Sequence, residues 1–291
     1  MSNIKVPSKW LPLQHSFVKI NPNAKGTVIF IGGYLYGTLP TTSYSDLLNG
    51  MYQKDFTVIS YSYSPVQLSH WKLSNDLLEE IEHLQNDIID EAKRRGYPTE
   101  VYYDDDKYCF VGHSLGCECI SLIQFLSFTK DKQKKLLQEA LEKLGPEQVT
   151  HFDFSDVDSL PEEKPVPYKA SLLMAPCFKD PLRGIRPKQE LMRYAIENGP
   201  LLPLTALISF KGDDIASEDV NWLHQNLSPE SLVGFEELSF QSNLPWWAGQ
   251  SLKQHLIPCY HPAKSGLLDC AVKYIDQLIG NPNVSESTVT D

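Results

Sequence analysis

The sequence predicts an α/β fold: a mostly parallel central sheet with helices on both faces and insertions at the C-terminal edge of the sheet. Three observations carry this. Short β-branched or aromatic runs alternate along the chain with longer helical patterns. Several of those runs are continuously apolar, as strands buried on both faces of a parallel sheet must be. The pentapeptide Gly112-His113-Ser114-Leu115-Gly116 joins a strand-like run to an apolar stretch, Cys117 to Phe128, that reads as a helix. A strand turning sharply into a helix lifts a serine hydroxyl clear of both elements and sets it over free N–H groups at the helix start.

Strands are expected over His15–Ile20 and Thr27–Ile31, the second ending in paired glycines. A helix over Thr42–Gln53 leads to a strand at Phe56–Tyr61. The pattern Leu73–Arg95 places Leu77, Leu78, Ile81, Leu84, Ile88 and Ile89 on one helical stripe and stops at Gly96. Strand Lys107–Val111 enters the pentapeptide, and helix Ser114–Phe128 leaves it. Strands follow at Ala170–Met174, Thr205–Phe210 and Phe235–Phe240, and a helix Ala263–Ile279 ends at Gly280-Asn281-Pro282. Two stretches depart from this rhythm. Residues 129–167 form a charged helical run and an acidic, proline-rich segment, which read as a solvated insertion. Residues 178–203 are apolar, lie between strands that flank the site, and read as a cap. Residues 1–283 are expected to form a single domain, with 284–291 a disordered tail.

Length and composition narrow the function. A chain of 291 residues, 42% hydrophobic, buries a sizeable core. No run approaches the roughly 20 apolar residues of a membrane span, and Met1-Ser2-Asn3-Ile4-Lys5 has no signal-peptide character. The net charge of −11 argues against nucleic acid as a partner and against docking on anionic lipid. Cys109, Cys117, Cys119, Cys177, Cys259 and Cys270 include no Cys-x-x-Cys pair, so they read as reduced thiols in a cytosol-like compartment. No phosphate-binding glycine spacing is present, and neither a metal nor an organic cofactor is implied.

A serine hydroxyl at neutral pH needs a base, and a histidine base needs a carboxylate to fix its tautomer. Asp213 and Asp214 follow the run Leu204–Phe210, and either is a candidate acid. His255 and His261 are the candidate bases ahead of the last helix. The oxyanion donors expected are main-chain N–H groups: Leu115 after the serine, and Tyr34 with Gly33 in the loop after Thr27–Ile31, where paired glycines permit close approach.

These residues together resemble the α/β-hydrolase superfamily. More closely, the chain resembles an uncharacterised hydrolase-like family of cyanobacteria and plastids. The motifs that carry this are Phe30–Pro40 with Tyr44, Ser69-His70-Trp71, Gly112–Cys117, Phe210–Ile215 and His255–Pro258. The resemblance implies the chain order serine, acid, histidine. It favours His255, which precedes Pro262 by the common spacing, and leans to Asp213, two residues before an apolar Ile215. One departure is Gly32-Gly33 where the superfamily usually has His-Gly.

Tyr36, Trp71, Trp246, Trp247 and His113 are the expected substrate-facing residues, with Asn243–Gly249 a rim over the site and a weak lipid contact available to the tryptophans. The leading expectation is a serine hydrolase of carboxylic esters or thioesters with an apolar acyl or alcohol group. The alternatives are a hydrolase-fold scaffold using the acidic segment Asp153–Glu163 as its partner surface, and an acyltransferase with a dry pocket. Whether a histidine and an aspartate stand in line with Ser114 separates a catalyst from a scaffold.

Overall fold

The computed structural model describes residues 9–64, 69–145, 166, 168–178, 189–199, 201–241, 244 and 249–280. Eight strands are present among them: β1 (Leu11–Leu13), β2 (Ser16–Lys19), β3 (Gly26–Ile31), β4 (Phe56–Tyr61), β5 (Tyr108–His113), β6 (Ala170–Met174), β7 (Leu204–Phe210) and β8 (Leu232–Leu238). They form one sheet in the order β1-β2-β4-β3-β5-β6-β7-β8. Pairing is antiparallel for β1–β2 and β2–β4 and parallel from β4 through β8. This is an α/β-hydrolase-like topology.

The helices are α1 (Pro40–Ser43), α2 (Ser45–Gln53), α3 (His70–Arg95), α4 (Leu115–Leu126), α5 (Lys130–Leu144), α6 (Gln189–Asn198), α7 (Ser217–Asn226), α8 (Gln250–His255), α9 (Ile257–Tyr260) and α10 (Leu267–Ile279). Every residue of β3, β4, β5, β6 and β7 is buried, which explains the continuous apolar runs in the sequence. Successive residues still serve opposite faces. Ile29, Ile31 and Phe110 join the core packed by α3 and α4, whereas Val28, Phe30, Cys109 and Val111 join the core packed by α2 and α10.

That division positions the site. The connection leaving β3 passes to α2 on one face, and that leaving β5 passes to α4 on the other. The two diverge above adjacent strands and leave a crevice at their C-terminal ends. In register, Ile31 stands beside Gly112, so the loop after β3 and the turn after β5 begin as neighbours.

Several elements differ from expectation. The helix expected over Thr42–Gln53 is broken at Tyr44, which sits between α1 and α2 with φ −116° and ψ 24°. Strand β8 begins three residues earlier than the run Phe235–Phe240 suggests. The charged helix α5 is not wholly solvated: Leu136, Leu137 and Ala140 are buried, and α5 packs against α6. Residues 151–165, Trp246, Trp247 and the tail lie outside the described residues.

Candidate active site

Ser114 occupies the turn between β5 and α4 with φ 54° and ψ −119°, a conformation that L-residues rarely adopt. The surroundings hold it there. Its N–H donates to the Met174 carbonyl at 3.0 Å, and the Cys117 N–H donates to the Ser114 carbonyl at 3.0 Å. Ser114 itself is half-buried, whereas Gly112, His113, Leu115 and Gly116 around it are buried.

The His255 Nε2 lies 2.9 Å from Ser114 Oγ, and its Nδ1 lies 2.8 Å from Asp213 Oδ2. The three side chains therefore form a serine–histidine–aspartate triad in line. The Asp213 carboxylate is 4% exposed, and its other oxygen accepts the N–H groups of Ile215 at 3.0 Å and Ala216 at 3.3 Å. Those bonds turn one oxygen to the start of α7 and leave the other for His255. Asp213 thus both orients the base and ties together the turn that leads into α7.

Asp214 is exposed, and its N–H donates to Ser251 Oγ at 2.7 Å. The structure thereby separates the two candidate acids. We expect Asp213→Asn to lower kcat by about 10,000-fold by allowing the wrong histidine tautomer, and Asp214→Asn to stay within about twofold of wild type, since it is exposed and away from His255. Steady-state hydrolysis of a p-nitrophenyl ester checks both. His261, the other candidate base, ends α9 and packs against the Phe240 ring at 5.3 Å between centroids.

The loop after β3 rests directly on the serine turn. A Cβ at Gly33 would stand 3.0 Å from Ser114 Cβ and 3.2 Å from His113 Nδ1, so only glycine lets the loop lie this close. Leu115 opens α4, so its N–H is a first-turn donor with no acceptor inside the helix. Gly33 departs from expectation: its N–H donates to the Tyr44 hydroxyl at 2.8 Å and does not serve as an oxyanion donor in this arrangement.

Two expected substrate-facing residues are corrected. Trp71 is 4% exposed and packs edge-on to Phe125, with centroids 5.3 Å apart, inside the α3–α4 core. His113 is 1% exposed, with Nδ1 2.8 Å from the Tyr44 hydroxyl and Nε2 2.9 Å from the His255 carbonyl. Burial first, and the neighbouring His255 second, hold the His113 pKa well below the ordinary imidazole value. It is a neutral interior group. Tyr36 is half-buried, its hydroxyl 3.2 Å from that of Tyr260.

Tyr44 is the residue that sequence reasoning on its own chemistry missed. It is fully buried, and burial raises its pKa well above the ordinary phenol value. Its only signal in the sequence was its place beside Phe30–Pro40 among the residues that carry the resemblance; the break in the helix at Tyr44 shows only in the structure. All six cysteines are free thiols. Among the described residues no cluster of histidine, cysteine or acidic groups has the makings of a metal site, and no helix is long and apolar enough to cross a membrane.

Comparison with known proteins gives three findings. Residues 9–144, a little under half of the chain, match the family described as Protein of unknown function (DUF1350). No curated protein matches the chain. Among solved structures the chain is similar to TT1662 from Thermus thermophilus, at 11% identity over 93% of this chain and 98% of that one, with a TM-score of 0.46.

Proposed function

We propose that this protein is a serine hydrolase that cleaves a carboxylic ester or thioester through an acyl-enzyme on Ser114. The observation that carries the reading is the in-line contact of Ser114 Oγ, His255 and Asp213 at a strained strand-to-helix turn. Ser114 attacks the carbonyl carbon while His255 Nε2 takes its proton. Asp213 accepts the His255 Nδ1–H bond and stabilises the imidazolium. The N–H groups of Leu115 and Tyr34 receive the oxyanion. The imidazolium then protonates the leaving alcohol or thiol. Water, deprotonated by His255, resolves the acyl-enzyme.

An apolar acyl or alcohol group fits the site's margin. Leu35 and Leu39 beyond β3, Ile215 beyond Asp213, and Leu252 and Tyr260 on either side of His255 are all exposed. Among the described residues, Tyr103 is the one exposed large apolar side chain outside these segments, so the exposed apolar side chains fall mostly in the stretches of chain that carry the oxyanion loop, the acid and the base. We further propose that the packed pair α5 and α6 belongs to a cap over the site. The resemblance to hydrolase-like proteins of cyanobacteria and plastids, together with free thiols, supports a reducing compartment.

The test is labelling of the folded protein with a fluorophosphonate, mapped by peptide mass spectrometry. Modification confined to Ser114 and blocked in Ser114→Ala is expected. A folded sample left unmodified at Ser114 overturns the reading. A series of p-nitrophenyl esters from acetate to decanoate then tests the apolar preference, with kcat/KM expected to rise with chain length.

A further inference from the structure

We propose that Tyr44 is a positioning residue for both halves of the catalytic machinery. One buried hydroxyl holds the oxyanion loop at Gly33 and, through His113, the main chain of His255. The kinetic part of this proposal rests on the serine-hydrolase reading above.

Hydrogen-bond bookkeeping fixes the direction of the chain. The His255 carbonyl can only accept, so the His113 Nε2 at 2.9 Å carries the proton. His113 is buried and neutral, so its Nδ1 keeps a lone pair. The Tyr44 hydroxyl, 2.8 Å away, therefore donates to Nδ1. The Tyr44 oxygen in turn accepts the Gly33 N–H at 2.8 Å. The run is Gly33 N–H to Tyr44, Tyr44 O–H to His113, and His113 N–H to the His255 carbonyl. Each donor meets an acceptor. The opposite tautomer would set Nε2 against a carbonyl with no proton between them.

The geometry explains why such a strap is needed. His255 ends α8, a helix of six residues, and is followed by α9 of four. Helices this short have little stability of their own, so tertiary anchors must set the main chain at His255. Asp213 fixes the His255 ring, and His113 fixes the backbone from which that ring hangs. At the other end, the bond at Gly33 sets the peptide that precedes the Tyr34 N–H. Tyr44 is able to reach all of these because the helical pattern breaks there. Its ring is seated edge-on against Phe30 at 4.7 Å and against His113 at 5.6 Å.

Tyr44→Phe keeps that ring and deletes only the hydroxyl. The expected result is a fall in kcat of about 10- to 100-fold, from sub-ångström misplacement of base and oxyanion donors, with KM nearly unchanged and fluorophosphonate labelling slowed by the same factor. His113→Gln, whose amide retains a donor toward the His255 carbonyl, is expected to keep more kcat than His113→Leu. Adding Tyr44→Phe to His113→Leu is expected to lose less than the product of the single losses, because the strap is already cut. A folded Tyr44→Phe protein with wild-type kcat and labelling rate overturns the proposal, as do strictly multiplicative losses. Independently of activity and of any variant, ¹⁵N NMR of the wild-type His113 ring is expected to show Nε2 protonated and Nδ1 bare. A protonated Nδ1 overturns the proposal even if Tyr44→Phe fails to fold. Failure of wild-type labelling, with the expected tautomer present, would remove the hydrolase reading and leave the strap standing.

Discussion

Ser114→Ala is expected to lower kcat for ester hydrolysis by about 10⁶-fold and to abolish fluorophosphonate labelling while the fold persists. The size follows from how the triad works as a unit. The hydroxyl is nucleophilic because His255 Nε2 lies 2.9 Å away to accept its proton. His255→Ala is expected to cost a similar factor, and the double variant no more than either, since each single loss already disables the unit. His261→Ala is expected to remain active, because that ring packs on Phe240 away from the chain of bonds. Loss of activity in His261→Ala with retention in His255→Ala would assign the base to the wrong helix end. The same position bears on stability. At φ 54°, alanine keeps the strain that serine endures and glycine releases it. Ser114→Gly is therefore expected to exceed Ser114→Ala in unfolding free energy by about 1 kcal/mol, read from urea melts, after subtraction of glycine's extra chain entropy.

Gly116→Ala is expected to be the most damaging one-methyl change near the site. A Cβ there would stand 2.0 Å from the Ile31 carbonyl oxygen, 2.7 Å from its carbon and 3.0 Å from the Gly32 oxygen. All three atoms are main chain at the end of β3, so no side-chain rotation relieves the overlap. Either α4 moves away from the sheet or the loop carrying Gly33 and Tyr34 moves away from Ser114. We expect a loss of about 3 kcal/mol or more of stability, together with a fall in kcat in whatever protein remains folded. Gly249→Ala is the control. Among the described residues nothing lies within 4 Å of its added Cβ, and its φ of −54° suits alanine, so a stability change within about 0.5 kcal/mol is expected. Equal denaturation midpoints for the two variants would refute the steric account.

The sheet was largely legible from the chain because its central strands are buried on both faces. Phe56–Tyr61 and Ala170–Met174 were expected with the bounds observed. Less was legible where burial is one-sided. Strand β8 is only partly buried, and its apolar run is displaced from its true start. Strand β1, three residues long with Pro12 at its centre, has no periodicity from which to read it. At the site, the serine was legible because its chemistry and its turn share one local pattern. The acid was legible only as one of the adjacent, chemically identical pair Asp213 and Asp214, with the resemblance alone favouring Asp213. Their separation comes from the turn in which the Asp213 N–H donates to the Phe210 carbonyl at 3.0 Å and Gly212 takes φ 83°. His113 was placed on the substrate side because it neighbours the nucleophile in sequence. The last residue of β5, it is instead buried between the Tyr44 hydroxyl and the main chain of His255, and Tyr44 stands 69 positions earlier in the chain. Partners that distant leave no spacing to count.

The two ends of the sheet carry a different lesson, about how the protein survives at high concentration. Edge strands offer unpaired N–H and C=O groups to any passing chain, and long apolar edges seed aggregation. Here β1 is short, and Pro12 within it has no N–H to give. At the opposite edge β8 carries Glu236 and Glu237 side by side, with Glu237 exposed. A second β8 adding antiparallel across that pair would set carboxylate against carboxylate at the spacing where like charges repel. Among the described residues neither edge offers another molecule a long apolar ladder to extend, so the sheet is guarded at both ends against becoming a template for fibres.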